Sequence, residues 1–263
     1  MRLVVVGYGN MAKAILQGLA KSANLGIKEI LIVGRNPHKI EVWAREAFRE
    51  SSLKLDFEVR MDSIDVGGAA VLLACKPPNI SSFSFSGEAF IVYSLLAGVG
   101  LDVLSSCVDS KNFVLVMPNV GASLGLSSSA VFWEGDGEDG TRRVIEGFVG
   151  SFGNCVFLGS YDELIASIAT NGSSPAVLAL VAQALINAGV HSGLKLELSA
   201  KLVQKTFEGI AALLKEKTPQ EIKDSITSPN GTTARALLHC DENGVQGHIT
   251  RSLIKAVDRA KGV

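Results

Sequence analysis

The chain opens with a short apolar strand that runs directly into a glycine-rich turn. Residues 2–6 read Arg-Leu-Val-Val-Val. The pattern G-x-G-x-x-A follows at once and consists of Gly7, Tyr8, Gly9, Asn10, Met11 and Ala12. A helix is predicted over residues 11–21, with Ile15, Leu16 and Leu19 on one face. A strand, this turn and a helix in that order predict a site for the pyrophosphate of a dinucleotide.

The small residues of this turn each have a physical role in such a site. Gly7 makes the tight turn at the strand end, and Gly9 has no Cβ to keep phosphates away from the backbone. Ala12 is small enough for the helix to pack on the strand. The free N–H groups at the helix N-terminus and the helix dipole favour an anion there. An ordinary strand–helix turn that is merely rich in glycine is the alternative.

Composition limits the classes of protein to consider. The 263 residues suffice for one large domain or two of ordinary size, with 47% apolar and 19% charged residues. A net charge of -1 without charged blocks disfavours nucleic acid and membrane surfaces as partners. No apolar run reaches the roughly 18 residues that a membrane span needs, and no signal peptide is recognised.

The cysteines and histidines point to no metal or disulfide chemistry. The four cysteines are far apart and form no C-x-x-C pair, which predicts reduced thiols and a cytoplasmic protein. Cys75 and Cys155 lie among apolar residues and are interpreted as buried core thiols. The four histidines are scattered without ligand spacing, so no metal site is predicted.

The first part of the chain alternates strands and helices. Strands are predicted at 3–6, 29–33, 71–75, 90–95, 113–117 and 129–133, and helices at 11–21, 37–49 and 141–151. Asn36 is the expected N-cap of the second helix, with Pro37 at its first position. This order predicts an α/β fold with a Rossmann-type, doubly wound and mostly parallel sheet.

After about residue 159 only helices are predicted, so the chain is divided into 1–159 and 160–263. The helices begin near 163, 176, 197, 219, 232 and 247, with Asp162 capping the first and Thr218 with Glu221 forming a capping box. Residues 176–189 are almost wholly apolar or small, which implies cover on every side. A second subunit is expected to supply part of that cover, making the helical part a dimerisation domain.

The end of the second strand bears on the choice of cofactor. NAD enzymes usually place an acidic residue there, but this chain has Gly34, Arg35 and Asn36. A guanidinium binds a 2′-phosphate bidentately, whereas a carboxylate repels it. NADPH is therefore favoured, with NADH still a usable alternative. Arg35 as an ordinary solvated loop residue is the competing interpretation.

Five segments together resemble the pyrroline-5-carboxylate reductase family over essentially the whole chain. They are residues 6–12 (VGYGNMA), 74–77 (ACKP), 97–98 (AG), 117–119 (MPN) and, most specifically, 226–233 (ITSPNGTT). Three segments depart from the family pattern. Gly121 and Val120 replace Thr-Pro after MPN, Ser174 lies in GSSPAV where the family has GSGPAY, and Asn230 replaces a glycine in TSPGGTT. Asparagine tolerates positive φ, so Asn230 can preserve the loop.

The resemblance implies hydride transfer from NAD(P)H to C5 of (S)-1-pyrroline-5-carboxylate, giving L-proline. It implies that Thr233 hydrogen-bonds the imine nitrogen and that Ser228, Asn230, Gly231 and Thr232 frame the substrate carboxylate. It also implies further cofactor contacts from Ala74, Cys75, Lys76, Pro77, Ala97, Gly98 and Asn119. The proton comes from solvent or an already protonated imine. The resemblance further implies a homodimer, with higher assembly open, in which the substrate loop reaches the neighbouring subunit's cofactor.

Two other functions remain as alternatives. A related dehydrogenase acting on a 3-hydroxy acid would carry a catalytic lysine on the first long helix after the nucleotide domain, but residues 163–189 contain no lysine. A non-catalytic NADP-binding paralogue is favoured by the three departures and disfavoured by the retention of Thr232 and Thr233.

Overall fold

The computed structural model describes residues 1–22, 26–51, 53–59, 63–137 and 139–262. The chain forms two compact units, which are described separately. The first comprises Met1–Gly172 together with Val257–Val263, and the second comprises Ser173–Ala256.

The first unit is built on an eight-stranded sheet, with a separate pair of two-residue strands. The strands in chain order are β1 (Arg2–Val6), β2 (Glu29–Val33), β3 (Lys54–Glu58), β4 (Ile64–Asp65), β5 (Ala70–Leu73), β6 (Phe85–Ser86), β7 (Ile91–Ser94), β8 (Asn112–Met117), β9 (Ser127–Gly135) and β10 (Gly153–Phe157). The large sheet has the order β3-β2-β1-β5-β7-β8-β9-β10, and β4 pairs with β6. All neighbouring pairs in the large sheet are parallel except β8 and β9, which confirms the mostly parallel sheet.

Helices cover both faces of this sheet. They are α1 (Asn10–Lys21), α2 (Glu41–Ala47), α3 (Leu101–Cys107), α4 (Asp139–Gly150) and α5 (Tyr161–Ala166), with 3-10 turns at Pro37–Ile40, Pro77–Ser82, Val120–Leu124 and Ser167–Ala169. One apolar cluster joins Leu3 and Val5 to α1, α2 and α4. The other joins Val4 and Val6 to α3 and α5. Alternate residues of β1 are therefore buried on opposite faces, as a doubly wound sheet requires.

Several local predictions for this unit were wrong. Residues 37–49 form a 3-10 turn followed by the shorter α2. Asn36 and Pro37 occupy the predicted positions at the start of the 3-10 turn, but the Asn36 side chain makes no capping hydrogen bond. The first helix after residue 159 is capped by Ser160, whose hydroxyl accepts the Glu163 N–H at 3.2 Å, rather than by Asp162. The predictions also omitted β3 and β10, the two edge strands of the large sheet. These are partly exposed and lack the apolar runs of the central strands.

The second unit is helical. Its helices are α6 (Ser174–His191), α7 (Leu196–Leu213), α8 (Pro219–Ile226), α9 (Thr232–Glu242) and α10 (Val245–Lys261), the last of which ends in residues assigned to the first unit. The capping box at Thr218 and Glu221 is confirmed. At the α6–α7 contact, Ser199 Oγ donates to the Ile186 carbonyl at 2.9 Å. A Cβ on Gly189 would collide with Ser199, so glycine is required for this close approach.

Apolar side chains of α6 are exposed to solvent in the single chain. No residue of α6 is buried within the single chain, and Leu180 is 68% exposed. The stretch Tyr161–His191 is also long and apolar enough to cross a membrane by length and composition. The expectation that no apolar run reaches this length was wrong, because apolar residues predominate over this whole stretch although single polar residues interrupt them. Residues 171–173 form a turn that separates its helices.

The predicted division after residue 159 can be compared with the compact units. The structure groups α5 and the following turn with the sheet, and the second unit begins at Ser173. Leu164 of α5 is buried in the apolar cluster of the first unit, and Asn171 hydrogen-bonds Met117 and Ser128. These contacts explain why the compact unit extends beyond the last strand.

Candidate functional site

A cleft of about 350 Å³ lies where β1, β2 and β5 end. Because these neighbouring strands are parallel, their carboxyl ends meet at one edge of the sheet, the usual ligand position in such folds. The cleft is lined by Gly7, Tyr8, Gly9, Gly34, Arg35, Ala74, Cys75, Lys76, Asn79, Ser82 and Phe83.

Gly7 is required by the turn at the end of β1. Its φ is +100°, a conformation that other residues rarely adopt. A Cβ at this position would lie 2.7 Å from the Cys75 nitrogen and 2.8 Å from the Ala74 carbonyl oxygen. The loops after β1 and β5 therefore approach each other only because residue 7 is glycine.

Gly9 opens the N-terminus of α1 to a ligand. A Cβ at Gly9 would meet nothing within 4 Å, so the space above this residue is free. No side chain caps α1, and its first turn has no acidic residue. Gly9 accepts the Lys13 N–H at 3.0 Å, which leaves the N–H groups of Asn10, Met11 and Ala12 without partners inside the helix. This arrangement fits a pyrophosphate.

Tyr8 and Arg35 form the part of the cleft next to β2. The Asn36 N–H donates to the Tyr8 hydroxyl at 3.1 Å. The Tyr8 ring lies so close to Gly34 that a Cβ there would be 2.8 Å from Tyr8 Cε1. Arg35 is exposed at the turn. Among the described residues that line the cleft, Arg35 and Lys76 are cationic and none is acidic.

Three residues of the cleft were not predicted. Asn79 and Ser82 belong to the 3-10 turn Pro77–Ser82 after β5, and Phe83 follows it. The Ser82 hydroxyl donates to the Asn79 carbonyl at 2.7 Å, which closes this turn. The signal was present in the sequence, because Pro77 and Pro78 after a strand predict a helical turn at the ligand edge of the sheet.

The other predicted cofactor residues do not line this cleft. Asn10, Asn36 and Pro77 directly follow lining residues in the chain, whereas Met11 and the buried Ala12 lie in the first turn of α1. Ala97 and Gly98 follow β7, the next strand, and border a separate cavity of about 20 Å³ together with Met117 and Tyr161.

Asn119 lies in the loop between β8 and β9. Its backbone N–H donates to Ser127 Oγ and its Oδ1 accepts the Gly121 N–H, both at 3.0 Å. A Cβ on Gly121 would lie 2.6 Å from the Leu126 carbonyl oxygen. Gly121 departs from the family pattern, and the loop of this chain has no room for a side chain at that position.

Burial disfavours the thiolate form of Cys75, which lines the cleft. Burial raises the pKa of the Cys75 thiol to about 11, and burial likewise raises the pKa of Cys155 to about 11. Both side chains therefore remain protonated near neutral pH, when a reactive cysteine needs its thiolate form. Within the described part of the chain, no three His, Cys, Asp or Glu side chains form a group suited to a metal ion.

The predicted substrate loop lies in the second unit, before α9. Asn230 has a φ of +58°, the conformation expected for this replacement of glycine. The Gly231 N–H donates to the Ser228 carbonyl at 3.0 Å, and a Cβ on Gly231 would collide with Ser228 Oγ. Ser228 and Asn230 are exposed. The sharp loop thus depends on Asn230 and Gly231 together.

The N-terminus of α9 is open to an anion. Gly231 provides no side-chain cap and accepts the Arg235 N–H at 3.2 Å. The N–H groups of Thr232, Thr233 and Ala234 therefore have no partner inside the helix. A surface cleft of about 460 Å³ is lined by Asn230, Gly231, Thr232, Ala234, Arg235 and Leu238.

Thr233 and Ser228 do not line this cleft, and Thr233 is half-buried. Arg235 is an additional residue that the sequence analysis did not single out. Its position one turn into α9 places a cation beside the open N–H groups.

Known protein families match both the N-terminal and the C-terminal part of the chain. The family model described as pyrroline-5-carboxylate reductase dimerisation matches residues 162–263, and the one described as NADP oxidoreductase coenzyme F420-dependent matches residues 2–89. The pyrroline-5-carboxylate reductase of Helicobacter pylori is 37% identical over 260 residues, covering 98% of both chains. This chain belongs to the pyrroline-5-carboxylate reductase family.

Other members of the family extend the comparison. The pyrroline-5-carboxylate reductase of Aquifex aeolicus is 30% identical, covering 99% of this chain and 97% of its own. The solved pyrroline-5-carboxylate reductase of Streptococcus pyogenes superimposes with a TM-score of 0.80 at 24% identity, covering 100% of this chain and 99% of its own. The Plasmodium falciparum enzyme, solved with NADP bound, gives 0.74 at 22% identity with the same coverage. These structures share the fold described above.

Proposed function

We propose that this chain reduces (S)-1-pyrroline-5-carboxylate to L-proline with a reduced nicotinamide cofactor, the last step of proline synthesis. Membership of the family supports this reaction over the full length of the chain. The observation that carries it is the open N-terminus of α9 behind the Asn230–Gly231 turn, where three N–H groups lack helix partners. A small carboxylate is the ligand that such a terminus favours.

The cleft at the end of β1 is proposed as the cofactor site. The N–H groups of Asn10, Met11 and Ala12 would bind the pyrophosphate, with Gly9 leaving the approach open. NADPH is the preferred cofactor, because Arg35 and Lys76 line the cleft without any lining carboxylate in the described residues. NADH lacks the 2′-phosphate and is used less well. Ala97, Gly98 and Asn119 are assigned to the nicotinamide end.

The substrate is held by its carboxylate and by its ring nitrogen. The carboxylate binds the N–H groups of Thr232, Thr233 and Ala234, with Arg235 close by, and Ser228 and Asn230 shape the loop. The Thr233 hydroxyl hydrogen-bonds the ring nitrogen and so fixes the orientation of the imine. When bound, the reduced nicotinamide supplies a hydride to C5 of the imine.

Protonation needs no acidic residue of the chain. The ring nitrogen takes its proton from solvent, and the Thr233 hydroxyl can donate to the neutral nitrogen or accept from the protonated one. When the hydroxyl donates to the neutral imine nitrogen, this hydrogen bond strengthens as hydride arrives at C5 and electron density moves onto that nitrogen, which lowers the barrier. Thr233 is therefore the proposed catalytic residue.

The two parts of the chain are assigned separate tasks. We assign cofactor binding to residues 1–159, and substrate binding and homodimer formation to residues 160–263. The exposed apolar residues of α6 and α7, among them Leu180 and Leu202, provide a surface that a second copy would cover. The same surface accounts for the apolar stretch 161–191 without a membrane. All four cysteines are free, in keeping with a cytoplasmic enzyme.

The competing functions are less well supported by the geometry. A non-catalytic paralogue was suggested by the departures at Gly121, Ser174 and Asn230, but Asn230 adopts a positive φ of +58°, a conformation that glycine also takes readily. A 3-hydroxy acid dehydrogenase lacks support because α6 contains no lysine. The deciding experiment offers NADPH with pyrroline-5-carboxylate or a 3-oxo acid to the purified protein, using Thr233→Ala as the matched control. We expect the unmodified protein to form proline from pyrroline-5-carboxylate roughly 10- to 100-fold faster than Thr233→Ala, and to leave the 3-oxo acid unreduced.

A further inference from the structure

A buried amide joins the end of β8 to the beginning of β9. Asn171 is 6% exposed, and its Nδ2 donates to the Met117 carbonyl at 2.7 Å and to the Ser128 carbonyl at 2.9 Å. Its Oδ1 is buried without a hydrogen-bond partner in the described structure. An unpaired buried carbonyl is costly, so the two bonds made by Nδ2 define the orientation of this side chain.

These two carbonyl groups mark where a loop leaves the sheet. Met117 ends β8 and Ser128 is the second residue of β9, and the residues between them form the loop that carries Asn119. The two hydrogen bonds of Asn171 Nδ2 link one carbonyl group on each strand, and they thereby set the distance between the two ends of the loop. Gly172 packs at the same place, because a Cβ there would lie 3.7 Å from Met117 Sδ.

A second set of polar contacts continues into the loop. Ser127 Oγ accepts the Asn119 N–H at 3.0 Å and lies 2.9 Å from Ser129 Oγ, with both serines buried. The Gly121 N–H donates to Asn119 Oδ1. The conformation of Asn119 is thus fixed by Ser127 within the strand and by Asn171 at the loop base.

We propose that Asn171 is a positioning residue for the reduction: by binding the carbonyl groups of Met117 and Ser128 it holds Asn119 at the nicotinamide end of the cofactor. This inference rests on the proposed function. Displacement of a positioning group by about 1 Å can reduce a rate on the order of a hundredfold, so a buried amide far from the chemistry is sufficient to affect it.

Asn112 provides a matched control for a purely structural role. It is 2% exposed, its Nδ2 donates to the Phe90 carbonyl at 3.2 Å, and its Oδ1 accepts from Trp133 Nε1 at 3.1 Å. It begins β8, whereas Asn171 binds the residue that ends that strand. Replacing either amide by a carboxylate disturbs β8 from one end only.

The test compares Asn171→Asp with Asn112→Asp. Three quantities are measured: kcat and KM for pyrroline-5-carboxylate, the Kd of NADPH, and hydrogen exchange in the peptide covering residues 117–126 without cofactor. A carboxylate cannot donate to two carbonyl groups. We therefore expect Asn171→Asp to lower kcat about tenfold or more and to speed exchange in this peptide. The Kd of NADPH should change less than about twofold, since Gly9 and Arg35 are untouched.

The Asn112→Asp protein should lose stability while its kcat and its exchange in 117–126 stay near those of the unmodified protein. Asn171→Ser, which keeps one donor in a smaller side chain, should give intermediate kcat and exchange, and it replaces Asn171→Asp if that variant does not fold. Equal losses of kcat in the Asn171 and Asn112 variants would overturn the inference, as would unchanged loop exchange. If the unmodified protein reduced no pyrroline-5-carboxylate, the proposed function would fail, while loop exchange would still decide whether Asn171 holds the loop.

Discussion

The backbone N–H of Asn36 donates a hydrogen bond to the hydroxyl of Tyr8 at 3.1 Å. This bond ties the glycine-rich turn after β1 to the turn after β2. It fixes the backbone on both sides of Arg35, whose guanidinium remains exposed at the cleft. The two predicted determinants of cofactor binding, the glycine pattern and the basic residue, are therefore parts of one hydrogen-bonded unit.

Arg35→Ala is expected to weaken NADPH and to spare NADH. Loss of a charge-assisted phosphate contact of about 1.5–3 kcal/mol corresponds to a Kd for NADPH roughly 10- to 150-fold higher. Arg143→Ala is the control, because Arg143 is an exposed arginine of α4 that does not line the cleft. Titration of each variant with both cofactors makes the comparison. An equal loss for NADH and NADPH would exclude the role assigned to Arg35.

Phe83→Ala is expected to weaken both cofactors alike. Phe83 lines the cleft, so its truncation removes apolar contact area that does not distinguish the two nucleotides. Phe85 is a matched control, since it packs against the same apolar cluster but does not line the cleft. We expect the Kd values of NADPH and NADH to rise about tenfold in Phe83→Ala and to stay within about twofold in Phe85→Ala. Similar values for the two variants would remove Phe83 from the site.

The central strands and the glycine pattern were predictable because burial on both faces leaves a plain signal. Val4, Val5 and Val6 are fully buried, and such apolar runs indicate strands of a doubly wound sheet. The edge strand β3 instead mixes Lys54, Asp56 and Glu58 with apolar residues, so its strand character depends on pairing with β2. Pairing of this kind is a tertiary effect that local patterns do not contain.

Site residues could be predicted from the sequence where the backbone requires a particular residue type, and could not where the residue is a common surface type. Gly7 and Asn230 adopt positive φ, so their residue types carry the signal. Arg235 is a common surface residue that only folding brings to a cleft, and Asn79 and Ser82 had no signal beyond the Pro77-Pro78 pair before them. Asn171 is a similar case, because its partners Met117 and Ser128 are far from it in the sequence.

Cys75 and Cys155 should react slowly with alkylating reagents near neutral pH. A pKa raised to about 11 leaves roughly one part in a thousand of Cys75 as thiolate at pH 8, and this fraction grows about tenfold for each pH unit up to 11. Peptide mapping after iodoacetamide treatment should find Cys240, which is exposed, modified first. Bound NADPH should slow Cys75 further, while Cys155 should be unaffected by it. Rapid labelling of Cys75 at pH 7 would contradict the burial of this thiol.

Leu180→Asp is expected to prevent homodimer formation. Leu180 is exposed in the single chain, and a second copy covering α6 would have to bury the new carboxylate without a partner, at a cost of several kcal/mol. Val42→Asp is the control, because Val42 is 85% exposed on α2 of the first unit. Light scattering after gel filtration gives the masses. A dimeric Leu180→Asp protein, or an unmodified protein that is fully active as a monomer, would contradict the assignment of this surface.

Thr233→Ala is expected to lower kcat/KM for pyrroline-5-carboxylate roughly 10- to 100-fold, or ~1.4–2.7 kcal/mol of transition-state stabilisation. Thr233→Ser keeps the hydroxyl and should recover most of the rate. The Kd of NADPH should be nearly unchanged, because the pyrophosphate is assigned to α1. Thr250→Ala, which removes an exposed threonine hydroxyl from α10, is the control. Full activity of Thr233→Ala would show that its hydroxyl does not contact the reacting nitrogen.

The most direct measurement of the central claim follows NADPH oxidation by the purified protein with (S)-1-pyrroline-5-carboxylate and identifies the product. We predict that one L-proline forms for each NADPH consumed, and that NADH supports the reaction with a lower kcat/KM. Binding of NADPH without any proline formation would contradict the reaction and favour a non-catalytic NADP-binding protein.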